Sequence, residues 1–304
     1  MATAAGGRLA AAVSNAGGLG LIGGGYGDRA WIDEEWREAG NAAVGIGFIT
    51  WRLREIVEQD ERFLADVTAR SPRALFLSFD DPAPFVSMAK ESGTPLIAQV
   101  QTARDAARAI EVGCDVVVAQ GSEAGGHGEK RATMALVPEV VDLARGTDTI
   151  VCAAGGIADG RGLAASLMLG AEGVVIGSRF WASREALVAP AMLEAAVRAS
   201  GDDTIRSSVM DIARRLNWPP RYTARVLRNA FTDRWHHDID GLLADAEAQS
   251  AHWIAAWERG DADVANTFVG EATGLIRDVR PAADLVEEVA RDALDLLQGG
   301  WRRT

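Results

Sequence analysis

The sequence predicts an α/β protein, a (β/α)8-type barrel with a helical insertion before its final helix. Three observations predict it. From the start of the chain to Phe180, short apolar runs alternate with helical segments of roughly ten residues joined by short links. The runs are apolar at almost every position, as strands buried on both faces must be. Three successive strand ends then open into glycine-bearing loops, the way a parallel barrel builds its active face.

The elements follow in order. Residues 7–15 form a helix with Leu9 and Val13 on one face, ended by Asn15-Ala16-Gly17-Gly18, which suits a left-handed cap. A strand over 19–22 runs into Gly23-Gly24-Gly25, and 31–38 is a helix. Strand 43–49 leads into a longer amphipathic helix over 52–69. Strand 74–79, helix 83–91 and strand 95–100 continue the alternation. Thr102 caps a helix over 103–112, and the β-branched run at 115–119 is a strand entering AQGSEAGGHG. Helix 136–144, strand 149–153, helix 159–169 and strand 173–176 complete this part.

That makes seven strands where a parallel barrel closes with eight. The absent strand belongs before the first helix, where residues 1–6 are too few and too small to supply it. The expectation is a barrel lacking its first strand, open between the strand near Leu19 and the strand near Val174. From 189 to 275 the sequence reads as helices only, over 190–199, 207–216, 222–231, 242–260 and 262–270, with Trp218-Pro219-Pro220 a firm break. The division is then a barrel over 1–188, a helical cap over 189–275, and 276–304 with a last amphipathic helix, 282–297, returning to the barrel. Of the cap tryptophans Trp218, Trp235, Trp253 and Trp257, most read as core, with one or two facing a substrate. His236 and His237 read as surface residues.

Composition excludes several function classes. The chain has 304 residues, 48% of them hydrophobic, with 31 basic and 43 acidic residues and a net charge of −12. This balance, with no basic stripe, argues against nucleic acid or an anionic membrane as partner. No apolar run reaches the ~18 residues of a bilayer span, and the N-terminus lacks a signal-peptide core. Cys114 and Cys152 lie in strand-like runs and read as buried thiols of a cytoplasmic protein. Four histidines and two separated cysteines make no metal site.

The chemistry concentrates at three strand ends. AQGSEAGGHG places Gly121, Gly125, Gly126 and Gly128 around His127, a residue type suited to proton transfer near neutral pH. The alternative for His127 is a hydrogen-bonded structural loop residue. Gly155-Gly156 and Gly177-Ser178 end the last two strands, where barrels bind phosphate through glycine amides. Lys130 and Arg131 read as solvated charge.

AVSNAGGLG, AQGSEAGGHG, AAGGIADGRGLAASLMLGAEGVVIGSRF and GLIRDVRPAADLVEE together resemble the nitronate monooxygenase family, and the similarity runs over nearly the whole chain. The resemblance implies FMN in the barrel. Gln120 and Gly125 would contact the flavin, with Gln99 a further contact to the isoalloxazine. Gly156 with Val175, Ile176, Gly177 and Ser178 would hold the phosphate, beside Gly155. His127 would be the catalytic base or the group that binds and orients the nitronate. Many members carry an asparagine flavin contact where Gly47 stands, so the chain departs from the family there. They also open with an apolar strand ending in Ala-Pro-Met, the strand that is absent here. The implied reaction is oxidation of an alkyl nitronate to a carbonyl compound and nitrite with O2, by an enzyme whose partners are a small-molecule substrate, O2 and, left open, further copies of itself. The rivals are an FMN-dependent NAD(P)H reductase acting on a quinone or enoyl-acyl-carrier protein, and a barrel that binds a phosphorylated ligand without redox chemistry.

Overall fold

The computed structural model describes residues 3–300. Seven parallel strands form one curled sheet: β1 (Leu21–Gly25), β2 (Gly45–Ile49), β3 (Leu75–Ser78), β4 (Leu96–Val100), β5 (Val116–Gln120), β7 (Ile150–Ala154) and β8 (Gly173–Val175). Between β5 and β7 the chain makes a three-residue strand, β6 (Gly126–Gly128), which belongs to a second sheet. The seven barrel strands lie side by side in chain order, and β1 and β8 are not paired with each other. Among the described residues the wall is an α/β barrel short of one strand.

The alternation of side chains across this sheet explains why the strands read as continuous apolar runs. Ile22, Ile46, Phe48, Leu75, Leu77, Val117, Ala119, Val151 and Ala153 pack outward against the helices. Phe76, Ile97, Val118 and Ala154, with Leu21, Val116, Cys152 and Val175, fill the inside. Cys114 is buried as expected, but Cys152 is only half-buried. Burial pushes their thiols up, to about 12 and about 11, so both stay protonated near neutral pH.

At the open side, every residue of β8 is only half-buried, as an edge strand without an outer neighbour should be. Part of the gap is bridged by backbone near the start of the chain. The Ala5 carbonyl accepts from Gly23 N–H at 2.8 Å, and the Ala4 carbonyl accepts from Leu187 N–H at 3.0 Å. The helix Ala282–Leu297 packs on the helices Gly160–Met168 and Gly7–Asn15. Gly160 permits that approach, because a Cβ there would lie 2.6 Å from the Ala293 nitrogen.

Several expectations are corrected. The single helix over 52–69 is two, Thr50–Gln59 and Phe63–Thr68. Asp60 takes a non-helical conformation between them and receives Arg29 at 2.5 Å. The cap is not wholly helical. Strands β9 (Thr204–Ser207) and β10 (Thr223–Leu227) pair antiparallel, and β10 also pairs with β6, giving the order β6-β10-β9. Residues 222–231 carry apolar side chains at helical spacing, yet cross-strand pairing with two distant segments overrides that local preference. The segment 262–270 is not a helix either; the Thr267 carbonyl accepts from Leu227 N–H at 3.0 Å, beside the end of β10. Val209, Met210, Ala224, Val226, Phe231, Trp235, Leu242 and Trp253 form the cap's own core. His236 is half-buried, its Nδ1 2.9 Å from Ser207 Oγ, whereas His237 is exposed. No helix among the described residues is long and apolar enough to cross a membrane.

The unpaired edges should be visible in hydrogen exchange. Amides of β8 facing the gap are expected to exchange about tenfold or more faster than those of β3 to β5, which are paired on both edges. Gly23, held by Ala5, should be the protected exception on β1. Uniform protection across all seven strands would mean that another segment closes the wall.

Candidate active site

His127 reaches the mouth of the barrel through a change of sheet. After Gln120 the chain leaves the barrel wall, and Gly121 N–H donates to the Ala154 carbonyl at 2.8 Å. The Arg206 and Arg225 guanidinium groups then both donate to the Ser122 carbonyl, at 3.3 and 2.9 Å. The chain turns through Gly126, φ +74°, into β6, where His127 lies opposite Ala224 of β10. Burial and the neighbouring Arg225 bring Arg206 down to about 10, and its Nε has no partner among the described residues.

The His127 imidazole is buried, with Nε2 at 2.9 and 3.0 Å from the two carboxylate oxygens of Asp211, itself buried on the cap helix Val209–Ala213. One face of the ring is covered by the Trp218 indole, stacked with centroids 3.4 Å apart and planes 6° apart. Trp218 Nε1–H donates to the Tyr26 hydroxyl at 3.0 Å, and its edges meet Phe79 at 5.1 Å and Trp51 at 5.5 Å. Tyr222 completes the group, 5.2 Å from Phe79. Tyr26, Trp51 and Phe79 stand just beyond the ends of β1, β2 and β3, so an aromatic box lines that side of the mouth. Phe79 has φ +71°, a conformation that costs a bulky residue on the order of 1–3 kcal/mol and clusters at functional sites. Burial lowers the His127 pKa below the ordinary imidazole range; Asp211 opposes that shift, while Arg214 and Arg206 reinforce it. The ring is therefore neutral at pH 7. Burial raises the Tyr26 and Tyr222 phenols, which stay protonated.

Beside His127 lies a glutamine cluster. Gln120 Oε1 accepts from Gln99 Nε2 at 3.1 Å and from Gln101 Nε2 at 2.7 Å, and Gln120 Nε2 donates to the His127 carbonyl at 3.1 Å. The two glutamines expected from sequence are thus together, and Gln101 joins them.

The glycine loops sit at the ends of β7 and β8. Gly155 and Gly156 have φ +105° and +72°, open to glycine and strained for other residues. Gly177 precedes the short helix Ser178–Trp181, and a Cβ built on it meets no atom within 4 Å. A Cβ there would therefore not clash within the protein. Ser178 Oγ accepts from Gly270 N–H at 2.8 Å. The Glu123 carboxylate beside Gly156 is engaged by Thr133, whose N–H donates at 3.0 Å and whose hydroxyl donates at 2.8 Å. Val175 faces the barrel interior, but Ile176 packs outward on the helices, leaving only its backbone for a ligand. Gly125 lies against the cap: a Cβ would come within 2.5 Å of Val269. Thr50 Oγ1 and Trp51 Nε1, at the end of β2, are buried without partners among the described residues. Glycine backbone at β7 and β8, open space at Gly177 and unused polar groups at β2 fit a large phosphorylated ligand lying in the mouth. Among the described residues no cluster of metal-ligating side chains occurs.

Sequence reasoning missed Asp211, Trp218 as the partner of His127, Gln101 and the arginines. Asp211 had a signal, a lone acid in the apolar run Val209-Met210-Asp211-Ile212-Ala213. Trp218 had only its place before two prolines.

Gln120→Leu would leave the Gln99 and Gln101 amides without their acceptor. The expected loss is about 1–3 kcal/mol, read from urea unfolding. Gln99→Leu, which keeps the Gln101 and His127 bonds, should cost less. Equal stability of the Gln120 variant and the parent would show that the cluster is not coupled to the fold.

The chain matches the nitronate monooxygenase family over residues 33–292. It is similar to the nitronate monooxygenase of Neurospora crassa, with 32% identity over 336 aligned positions that cover 97% of this chain and 87% of that one. It is also similar to nitronate monooxygenase npaC of Metarhizium robertsii, at 34% identity covering 95% and 88%. Among solved structures it resembles FabK from Thermotoga maritima, with a TM-score of 0.82 at 29% identity, covering 100% of this chain and 94% of that one. Matched by the family model over most of its length and by two nitronate monooxygenases at 32% and 34% identity over nearly all of it, the chain belongs to the nitronate monooxygenase family.

Proposed function

We propose that the chain oxidises alkyl nitronates to a carbonyl compound and nitrite with O2, using FMN held in the barrel mouth. The observation that carries this reading is the buried His127 on the loop after β5, with β7 and β8, which end in the glycine loops, following β5 in the sheet, in a chain whose family acts on nitronates.

Each group has a task. The amides at Gly155, Gly156 and Gly177 and the Ser178 hydroxyl would receive the phosphate. Gln99 and Gln120 would meet the ring, with Val175 as apolar floor. Gly125 would act from behind, setting the loop against Val269, and Ile176 through its backbone. When bound, FMN supplies the two-electron redox chemistry and passes electrons to O2. His127 orients the substrate and moves a proton, while the aromatic box keeps bulk water from its face. Gly47, in β2, offers no side chain to the ring, which would be held from β4 and β5.

The purified protein should be yellow. Anaerobic mixing with an alkyl nitronate should bleach the flavin, admitting O2 should restore the colour, and nitrite should accumulate over aerobic turnover. Bleaching by NADH and not by nitronate would overturn the reading in favour of a reductase, and a protein that takes up no flavin would overturn it altogether. His127→Ala is expected to lower turnover about 10²–10⁴-fold with flavin content unchanged; near-normal turnover would return His127 to a structural role.

Gly177→Asp tests the cradle separately. Its φ of −95° suits any residue and its Cβ meets nothing, so the variant should fold. Its carboxylate would repel the phosphate, so the protein should purify colourless. Normal flavin content would place the phosphate elsewhere.

A further inference from the structure

Asp211 comes from the cap, 84 positions along the chain from His127, and its carboxylate makes no other hydrogen bond among the described residues. Burying a carboxylate is costly unless it is paired, and this one is paired only with an imidazole. A carboxylate can only accept, so the hydrogen between them belongs to Nε2. The imidazole lone pair then lies on Nδ1. That nitrogen makes no hydrogen bond among the described residues, and it is not one of the buried polar atoms left without a partner, so it keeps some access to solvent and is free to accept a proton.

We propose that Asp211 is a positioning residue that holds His127 as its Nε2–H tautomer, making Nδ1 the nitrogen that exchanges a proton with the substrate. The proposal rests on reading His127 as the proton-transfer group. Two features keep the ring from turning over. Its backbone is fixed by the pairing of β6 with β10, and Trp218 lies flat on one face. When Nδ1 takes a proton, an imidazolium forms where burial disfavours charge, and the carboxylate at 2.9 Å offsets that cost. The other charged groups acting on the ring oppose it: Arg214, just past the end of the Asp211 helix, and Arg206 on β9. The remaining neighbours, Trp218, Phe79 and the protonated Tyr222, carry no charge.

Nitrogen-15 NMR of histidine-labelled full-length protein tests this without any assay of turnover. The His127 signal is assigned as the one lost in His127→Gln. At neutral pH the parent should show a protonated Nε2 and an unprotonated Nδ1; a proton on Nδ1 would overturn the proposal outright. Asp211→Ala should lose the single tautomer. It should also move the acid limb of kcat/KM to lower pH, because the neutral ring is the active form and the group that raises its pKa is gone. In both Asp211→Ala and the near-isosteric Asp211→Asn, kcat should fall about 10²-fold or more, with KM and flavin content changed little. A folded variant with unaltered tautomer, limb and kcat would overturn the proposal, and if the alanine variant fails to fold, the asparagine variant and the parent spectrum still decide. An Nε2–H signal in the parent together with an active His127→Ala protein would remove the catalytic reading while leaving the positioning by Asp211 intact.

Discussion

The pairing of Gly126–Gly128 with β10 is the constraint on which the mouth of the barrel depends. It takes a loop that would otherwise hang free from β5 and makes it the edge of the cap sheet, so one segment belongs to both layers. The glycines flanking His127 suit this position. A Cβ on Gly128 would come 2.9 Å from an Arg206 terminal nitrogen, so a larger residue would displace the guanidinium that holds the Gly128 and Thr223 carbonyls. His127 is then the one side chain of the strand beyond hydrogen, and its direction follows from the cap as much as from the barrel.

Electrostatics at the mouth run against those of the whole chain. The protein carries a net charge of −12, which disfavours the approach of an anion at long range. Arg206, Arg214 and Arg225 gather beneath the cap, with Arg214 5.7 Å from the ring centres of both Tyr26 and Trp253. Arg225 is paired with Glu271 at 2.7 Å and Arg206 donates to backbone carbonyls, so these cations first hold the loop and the cap in place. Burial lowers the proton affinity of His127, the fields of Arg214 and Arg206 add to it, and Asp211 limits the effect. The site thus combines a neutral imidazole at rest with a carboxylate ready to stabilise its charged form.

The open wall and the cap are related through packing. The edge at β8 carries Gly177 and Ser178 at its end, and the Ser178 hydroxyl receives the Gly270 amide from the cap segment. The same segment meets the β5 loop, where Glu271 N–H donates to the Glu123 carbonyl at 2.9 Å. Residues Gly270 and Glu271 of the cap therefore tie the loops of β5 and β8 together across β7.

What the sequence determined by itself was the order of the barrel and the places where its backbone opens. Seven apolar runs at barrel spacing, the break in closure near Leu19 and Val174, and the glycines at 121–128, 155–156 and 177 are local features. Each follows from a few neighbouring residues and the period of their side chains. His127 stood out because a single titratable residue lay among glycines. The cap was decided only in three dimensions. β10 is five residues whose apolar positions also fit a helix, and its strand form depends on partners about twenty residues away at Ser207 and about a hundred away at His127. Asp211 and Trp218 carry at most a weak mark of their roles in the sequence, since an acid in an apolar run and a tryptophan before prolines have many uses. They meet His127 because the β6–β10 pairing folds the cap back over the mouth. Contacts between residues far apart in the chain are set by that packing, and no local pattern encodes them.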